Sequence, residues 1–296
     1  MNETPREAQF GPITAPRLAV GTMRMAGMEP GAIRAVLHAT VEAGLTLIDT
    51  APIYGTGAHG FGDVESRLGA ALAEAPGLRD RLHLVTKAGI EPGVPYDSSR
   101  AALTASCEAS LRRLRTDRID LFLVHRPDNL TAHAEVAGAL DVLLQSGKVR
   151  AVGVSNYRPD QVRALARHLE SPLAANQIEC SPLVVDALFD GTLDQCEELG
   201  VTPMAWSPLG GGAILGASGG RAAGVAAALD AIAEAAGTTR DVAAYAWLLA
   251  HPSGMVPVLG TVRPARVAAA AGAFRLRIGR RDWYAVLEAA RGGPMP

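Results

Sequence analysis

The sequence predicts an α/β fold in which eight parallel strands, each followed by a helix, close into a (β/α)8 (TIM) barrel. Short apolar runs alternate with longer segments of helical period. The runs are continuously apolar, which is typical of parallel strands that helices cover. No shift in composition marks a linker, so we expect a single domain over residues 1–296, with the barrel proper at about 17–290.

Eight segments carry the strand pattern. Eight strands with crossover helices can close a barrel, and an open doubly wound sheet is the alternative that this pattern leaves open. The predicted strands are Arg17–Gly21, Leu45–Asp49, Leu82–Lys87, Ile119–His125, Val149–Ser155, Ala174–Ile178, Val201–Trp206 and Val256–Gly260.

Apolar residues at helical spacing predict helices between these strands. A helix-stopping Gly44 and Gly147 follow two of the stripes, and Ser98 or Ser99 is the expected N-cap of another. The predicted helical segments are Ile33–Val41, Leu103–Leu114, Val136–Leu144, Asp241–Ala250 and Arg281–Ala290.

Two glycine-rich segments need separate interpretation. Ser207–Gly224 is long and nearly free of charge; such a loop in a compact domain is often functional, and a floppy insertion is the alternative. Gly55–Gly60 fits the pattern GxGxxG, but Pro52 and Tyr54 separate it from the preceding strand. A dinucleotide-binding fingerprint follows its strand directly, so we interpret this segment as a flexible loop and reject a Rossmann site.

Composition restricts the class of partner. The formal net charge is −2 and basic residues are scattered, so neither nucleic acid nor a membrane surface is expected. The three cysteines are odd in number and form no CxxC, which argues against a disulfide framework or a zinc knuckle, and no metal is expected. Without a secretory signal or an apolar run of about 18 residues, we expect a cytoplasmic protein of unknown oligomeric state.

Polar side chains end several predicted strands. Asp49, Lys87 and His125 each end an apolar run, and Tyr54 lies just beyond Asp49. The C-terminal ends of barrel strands share one face, so these four residues, here called the strand-end cluster, should converge. Taken alone, each residue also has a non-catalytic interpretation. Asp49 could cap a helix or form a turn, Lys87 could be solvated, Tyr54 could serve in packing, and His125 could bind a backbone carbonyl. Their consistent placement favours a common site.

The strand-end cluster predicts acid catalysis without a metal. Asp49 and Lys87 can pair, which reduces the cost of burying them. The charge of Lys87 beside the phenol of Tyr54 is expected to lower its pKa from about 10, so that it can donate a proton to a carbonyl oxygen. A neutral His125 can orient the same oxygen.

Several segments are similar to those of the aldo-keto reductases, and the resemblance extends from Leu18 to Asp282. It implies a barrel enzyme that uses NADPH to reduce an aldehyde or ketone, with Asp49, Tyr54, Lys87 and His125 as the catalytic tetrad and Tyr54 as the general acid. The segments are DTAPIYG (Asp49–Gly55), LVTKAG (Leu84–Gly89), LFLVHRPD (Leu121–Asp128), GKVRAVGVSNY (Gly147–Tyr157), NQIECSPL (Asn176–Leu183) and AWSPLGGG (Ala205–Gly212).

The resemblance also implies residues for the nicotinamide end of the cofactor. Ser155, Asn156 and Gln177 match the family's binders of the carboxamide. Trp206 stands where the family places an aromatic residue, often Tyr, that stacks on the ring. Hydrogen bonds from Ser155, Asn156 and Gln177 to the carboxamide would determine which face of the nicotinamide ring presents its hydride.

The phosphate end is implied by two further segments. Ser207, Leu209 and the glycines that follow resemble the loop over the pyrophosphate, whose backbone N–H groups can bind phosphate oxygens. The segment VPVLGTVRPAR resembles the adenosine-phosphate site, which Gly260, Thr261, Arg263 and Arg266 would form. Two arginines for a 2′-phosphate favour NADPH over NADH. Family members often have Lys at the position of Gly260, and many have Asn or Glu at the position of Ala270. This chain departs from the family at both positions.

Three functions therefore remain. The leading one is NADPH-dependent reduction of a small-molecule carbonyl substrate. The same residues, with Tyr54 as base, would serve an NAD(P)-dependent alcohol or sugar dehydrogenase. A cofactor-binding regulatory subunit is the third. Loops after the strands should set selectivity, and there Arg24 and Arg126 either contact an acidic substrate group or are surface or salt-bridged residues.

Overall fold

A computed structural model describes residues 5–296. The chain begins with an antiparallel hairpin of β1 (Glu7–Phe10) and β2 (Ile13–Pro16). Eight parallel strands then form a closed barrel in which β10 pairs with β3. These strands are β3 (Ala19–Gly21), β4 (Leu47–Asp49), β5 (His83–Ala88), β6 (Ile119–Val124), β7 (Val149–Ser155), β8 (Ala175–Glu179), β9 (Thr202–Trp206) and β10 (Val256–Leu259).

Helices surround the barrel. None of those within residues 5–296 is long and apolar enough to cross a membrane. Short 3-10 turns lie at Met23–Met25, Arg79–Arg81, Asp186–Leu188, Gly210–Gly212 and Ala271–Phe274. The α-helices are α1 (Pro30–Glu42), α2 (Asp63–Ala73), α3 (Arg100–Leu114), α4 (His133–Gln145), α5 (Pro159–Ala166), α6 (Thr192–Leu199), α7 (Gly220–Ala235), α8 (Arg240–Leu249), α9 (Pro264–Ala270) and α10 (Arg280–Arg291).

The predicted (β/α)8 barrel is confirmed, and the open sheet is excluded by the pairing of β10 with β3. Every residue of β6 is buried. A strand whose side chains face either the barrel interior or the covering helices has no solvent face, which explains its continuous apolar run.

The hairpin closes the N-terminal end of the barrel. Phe10 and Ile13 pack among the inward-facing side chains of the barrel strands. The buried guanidinium of Arg17 then donates to the carbonyls of Leu249 and Gly254, at 3.1 and 3.2 Å. With this end plugged, the open mouth is at the C-terminal ends of the strands.

Besides α2, α5, α6 and α9, for which no range was predicted from the sequence, two segments differ clearly from the prediction. The hairpin was not predicted, because its two strands are only four residues long. The prediction of a loop over Ser207–Gly224 is wrong for its last residues, because α7 begins at Gly220. The alanines after Gly220 favour a helix, and the buried Val225 and Leu229 anchor it.

Candidate active site

The four members of the strand-end cluster reach the open mouth from three neighbouring strands. Asp49 is the last residue of β4, Lys87 lies near the end of β5, and His125 follows β6 directly. Because β4, β5 and β6 are consecutive in the barrel, their ends lie side by side. Tyr54 enters from the loop after β4, which also contains the glycine pattern Gly55–Gly60.

Lys87 is the centre of the cluster. Its side chain is fully buried, and Nζ lies 2.8 and 2.9 Å from the two carboxylate oxygens of Asp49. Nζ also donates to the carbonyl of Thr50 at 3.0 Å and to the hydroxyl of Tyr54 at 3.1 Å. Burial disfavours the charged amine, but Asp49 and Tyr54 together outweigh it and raise the pKa of Lys87. The buried lysine is therefore a cation.

The phenol of Tyr54 keeps its proton in this environment. Its hydroxyl lies 3.1 Å from Lys87 Nζ and 3.5 Å from Asp49 Oδ2. Burial raises the pKa of Tyr54, while the charge of Lys87 opposes that rise. The expectation of a lowered pKa was wrong in its net direction, because desolvation of the phenolate outweighs the lysine charge.

His125 is held neutral beside the phenol. Burial, followed by the charges of Lys87 and Arg126, lowers the pKa of His125 to about 3. Its ring meets that of Tyr54 edge to face, with centroids 6.4 Å apart. Nδ1 is buried and has no hydrogen-bond partner among residues 5–296. A neutral imidazole at this place can direct a ring N–H toward an incoming oxygen.

The residues predicted for the nicotinamide end form one hydrogen-bonded chain. Trp206 Nε1 donates to Asn156 Oδ1 at 3.0 Å, and Asn156 Nδ2 donates to Ser155 Oγ at 2.8 Å. Ser155 Oγ donates in turn to the carbonyl of Gln177 at 2.9 Å. Gln177 Nε2 then donates to Asp49 Oδ1 at 2.8 Å. The chain therefore links the indole at the mouth to the strand-end cluster.

The residues predicted for the phosphate end lie around the same opening. Added Cβ atoms at Gly211 and Gly212 would meet nothing within 4 Å, so the backbone there faces open space. Arg263 and Arg266 flank the start of α9, and neither side chain forms an ion pair in the described part of the chain. Thr261 Oγ1 accepts from the backbone N–H of Arg263 at 3.2 Å.

One cavity of about 490 Å³ joins both ends. It is lined by three members of the strand-end cluster and by every residue predicted to bind the cofactor; Lys87 lies behind its wall. Several further lining residues were not assigned a role from the sequence, because nothing in their local pattern distinguishes them from ordinary packing. They include Gly21, Asp241, Tyr245, Leu259 and Val262.

The sequence model that describes the Aldo/keto reductase family matches residues 17–290 of this chain. This chain is an aldo/keto reductase. Membership of this family makes it an oxidoreductase. Within residues 5–296 of this reductase, no group of His, Cys, Asp or Glu side chains is arranged to hold a metal ion.

The reductase is similar to proteins of bacterial origin over nearly its whole length. It is 49% identical to a 6-dehydroglucose reductase of Novosphingobium aromaticivorans, covering 98% of this chain and 97% of that one. It is 41% identical to a 6-dehydroglucose reductase of Agrobacterium fabrum, covering 93% and 94%.

Solved structures share the fold of this reductase. The glycerol dehydrogenase of Gluconobacter oxydans superposes with a TM-score of 0.86 at 27% identity, covering 98% of this chain and 97% of that one. An aldo/keto reductase of Klebsiella pneumoniae in complex with NADP and acetate gives a TM-score of 0.80 at 27% identity, covering 98% and 96%.

Proposed function

We propose that this enzyme reduces an aldehyde to an alcohol with NADPH, and that Tyr54 is the general acid. The observation that carries the proposal is the contact of Lys87 Nζ with both Asp49 and the Tyr54 hydroxyl, at a cavity wall shared with His125. This arrangement places a proton donor and a neutral hydrogen-bond donor at one point. A carbonyl oxygen is the group that both can serve.

The residues around the cavity fit a nicotinamide dinucleotide phosphate. The lining of the cavity includes an aromatic side chain, amides, an open glycine backbone and guanidinium groups without ion-pair partners among residues 5–296. Those donors suit a planar amide-bearing ring at one end and phosphates at the other. The cofactor would supply a hydride to the carbonyl carbon.

The chain itself supplies the proton. As the carbonyl carbon gains a hydride, its oxygen acquires negative charge and takes the proton of the Tyr54 hydroxyl, so that an aldehyde becomes a primary alcohol. The phenolate left behind is stabilised by Lys87 at 3.1 Å. Asp49 keeps Lys87 charged, and neutral His125 holds the oxygen in place. Tyr54 enters this step with its proton, because burial raises the pKa of the phenol.

A sugar aldehyde is the proposed substrate. Two relatives that match nearly the whole chain, at 49% and 41% identity, are 6-dehydroglucose reductases. Reduction of the aldehyde of 6-dehydroglucose gives the corresponding primary alcohol, which is glucose. The polar and cationic groups at the mouth suit a hydroxylated substrate better than a hydrocarbon one.

The reverse reaction is a second candidate, favoured by the likeness in fold to a glycerol dehydrogenase. The same residues would oxidise an alcohol, with the Tyr54 phenolate taking its proton. Which direction prevails depends on the cofactor ratio and the substrate supplied, so both directions belong in one test.

The test follows NADPH consumption with 6-dehydroglucose and, in parallel, NADP+ reduction with glucose and glycerol. We expect rapid NADPH oxidation with the aldehyde and weaker turnover with NADH. Replacing Tyr54 with Phe removes only the hydroxyl, and should abolish turnover while leaving the fold intact. Absence of NADPH oxidation with any aldehyde by the folded wild-type enzyme would refute the proposed function.

A further inference from the structure

The loop after β6 is held rigidly. Asp128 Oδ1 accepts the backbone N–H of Leu130 at 2.9 Å, and Oδ2 accepts the hydroxyl of Thr131 at 2.6 Å and the backbone N–H of Ser98 at 2.9 Å. Pro127 further restricts the backbone of the residue before it. Arg126 therefore projects from a fixed position, directly after His125.

The guanidinium of Arg126 has no hydrogen-bond or ion-pair partner among residues 5–296. Arg126 is half-buried and lines the cavity, yet its side chain forms no ion pair or hydrogen bond with any of residues 5–296. Elsewhere the half-buried Arg113 and Arg240 are paired with carboxylates. A guanidinium that lines the cavity with its donors unused can bind an acceptor supplied by a ligand.

Arg126 lies at the reacting end of the cavity, because it directly follows His125 in the chain and both residues line the cavity. Four arginines line the cavity: Arg24, Arg126, Arg263 and Arg266. The charge of Arg126 acts on the imidazole of His125 and helps to lower its pKa to about 3. Arg24 and Arg266 act instead on Tyr245 of α8, toward the proposed phosphate end.

We propose that Arg126 binds oxygen substituents on the carbon atoms next to the substrate carbonyl, and so makes the enzyme selective for hydroxylated or carboxylated aldehydes over plain ones. The inference rests on the proposed function, since it needs a carbonyl held by Tyr54 and His125. A guanidinium offers its N–H donors in a planar fork, which matches two neighbouring hydroxyl oxygens or the two oxygens of a carboxylate.

The test compares three aldehydes under steady-state conditions with NADPH. Glyceraldehyde carries one hydroxyl group on each of the two carbons that follow its carbonyl, glyoxylate carries a carboxylate, and propanal carries neither. The variants are Arg126→Met, which keeps the length of the apolar stem, and Arg126→Lys, which keeps the charge but loses the fork. Arg163→Met is the matched control, because Arg163 on α5 forms an exposed ion pair with Glu198 on α6 and does not line the cavity.

We expect Arg126→Met to raise KM for glyceraldehyde or glyoxylate by about 10- to 100-fold, which is the range for losing a hydrogen bond to a charged group. The kcat/KM for propanal should change by less than about threefold, and Arg163→Met should leave all three aldehydes unchanged. A larger rise in KM for glyceraldehyde than for glyoxylate in Arg126→Met assigns the site to hydroxyl groups. A larger rise for glyoxylate assigns it to a carboxylate.

The inference and the proposed function fail in different ways. An equal loss of kcat/KM for all three aldehydes in Arg126→Met, or no loss for any of them, would overturn the role of Arg126. The proposed function would still stand if the wild-type enzyme turns over and Tyr54→Phe does not. Fluorescence titration with NADPH checks that Arg126→Met still folds and binds the cofactor. If the wild-type enzyme reduces none of the aldehydes, the proposed function falls and the role of Arg126 falls with it.

Discussion

At the scale of single residues, Gln177 connects two parts of the site that the sequence treats separately. Its side-chain N–H₂ donates to Asp49, and its main-chain carbonyl accepts from Ser155. A movement of Ser155 or Gln177 at the proposed nicotinamide end would therefore change the hydrogen bond to Asp49, whose carboxylate holds Lys87 in its charged form. Gln177 lies on β8, across the barrel from β4, so only closure of the barrel brings it to Asp49.

The protonation of His125 leads to a prediction about pH. Burial and two nearby cations lower its pKa to about 3, so the imidazole stays neutral as the pH falls through its ordinary range near 6.5. We expect the kcat/KM for aldehyde reduction to show no loss between about pH 8 and pH 5 from this group. The measurement is the pH profile of kcat/KM with NADPH saturating.

A loss of activity near pH 6.5 that disappears in His125→Asn would contradict a neutral, buried imidazole. At the alkaline end, reduction should decline only when Tyr54 loses its proton, and its pKa is raised by burial. The direction follows from its role, because an acid catalyst must enter the reaction protonated.

At the scale of single residues, the sequence predicted which side chains would meet but not their energetics. Asp49, Lys87 and His125 end apolar runs, and parallel strands necessarily gather their ends at one mouth. The net rise in the pKa of Tyr54 could not be predicted, because it depends on how completely the loop after β4 buries the phenol. Whether Arg126 forms an ion pair could not be predicted either, because that depends on which side chains the fold brings near it.

At the scale of structural elements, the segment from β10 into α9 determines the proposed choice of cofactor. Arg263 and Arg266 both line the cavity there, exposed and without ion-pair partners in the described part of the chain. We predict that Arg266→Met raises the Kd for NADPH by about 10- to 100-fold, because a charge-assisted contact with the 2′-phosphate is lost. Binding is measured by quenching of tryptophan fluorescence.

NADH is the internal control for this prediction, since it lacks the 2′-phosphate. Its Kd should change by less than about twofold in Arg266→Met, so the preference between the cofactors narrows. An equal weakening of both cofactors would show that Arg266 supports the shape of the site instead of binding the 2′-phosphate.

A second pair of elements is joined by two tryptophans. The rings of Trp247 on α8 and Trp283 on α10 stack with centroids 4.8 Å apart, and each indole N–H donates to the main-chain carbonyl of the other residue, at 2.9 and 3.0 Å. We predict that Trp283→Ala lowers the free energy of unfolding by about 2–4 kcal/mol, from lost stacking, burial and hydrogen bonds. Urea unfolding measures this change.

Tyr284→Ala is the matched control for that prediction. Tyr284 is adjacent on α10 and 40% exposed, and its ring meets Trp283 only edge to face, with centroids 5.2 Å apart, so its loss should cost about 1 kcal/mol. If the two variants were equally stable, the paired indoles would contribute nothing beyond ordinary surface packing. Neither change touches the cavity, so aldehyde reduction by the folded variants should be unaltered.

At the scale of the whole molecule, the barrel could be predicted because its strands need no solvent face. Their continuous apolar runs and the alternating helices reflect burial on both sides, which any eight-stranded barrel with outer helices imposes. The hairpin that plugs the N-terminal end left no such signal, because Phe10 and Ile13 are single apolar residues in short strands. Their burial depends on contacts with residues far along the chain, such as the hydrogen bond from Thr202 to Gln9.

The closed N-terminal end and the open C-terminal mouth give the molecule one reactive face. Asp49, Tyr54 and His125 line the cavity at this face, and Lys87 supports them from behind it. In the proposed reaction the hydroxyl of Tyr54 supplies the proton in the chemical step. A measurement that isolates this step tests that role without interference from product release.

That measurement is the single-turnover rate of NADPH oxidation by an aldehyde, compared between the wild-type enzyme and Tyr54→Phe, each saturated with NADPH. We expect a rate lower by about 100-fold or more in Tyr54→Phe, with NADPH affinity and thermal stability close to those of the wild type. An unchanged rate in a folded, NADPH-bound Tyr54→Phe enzyme would contradict this role of Tyr54, and the proton would then have to come from another group at the mouth.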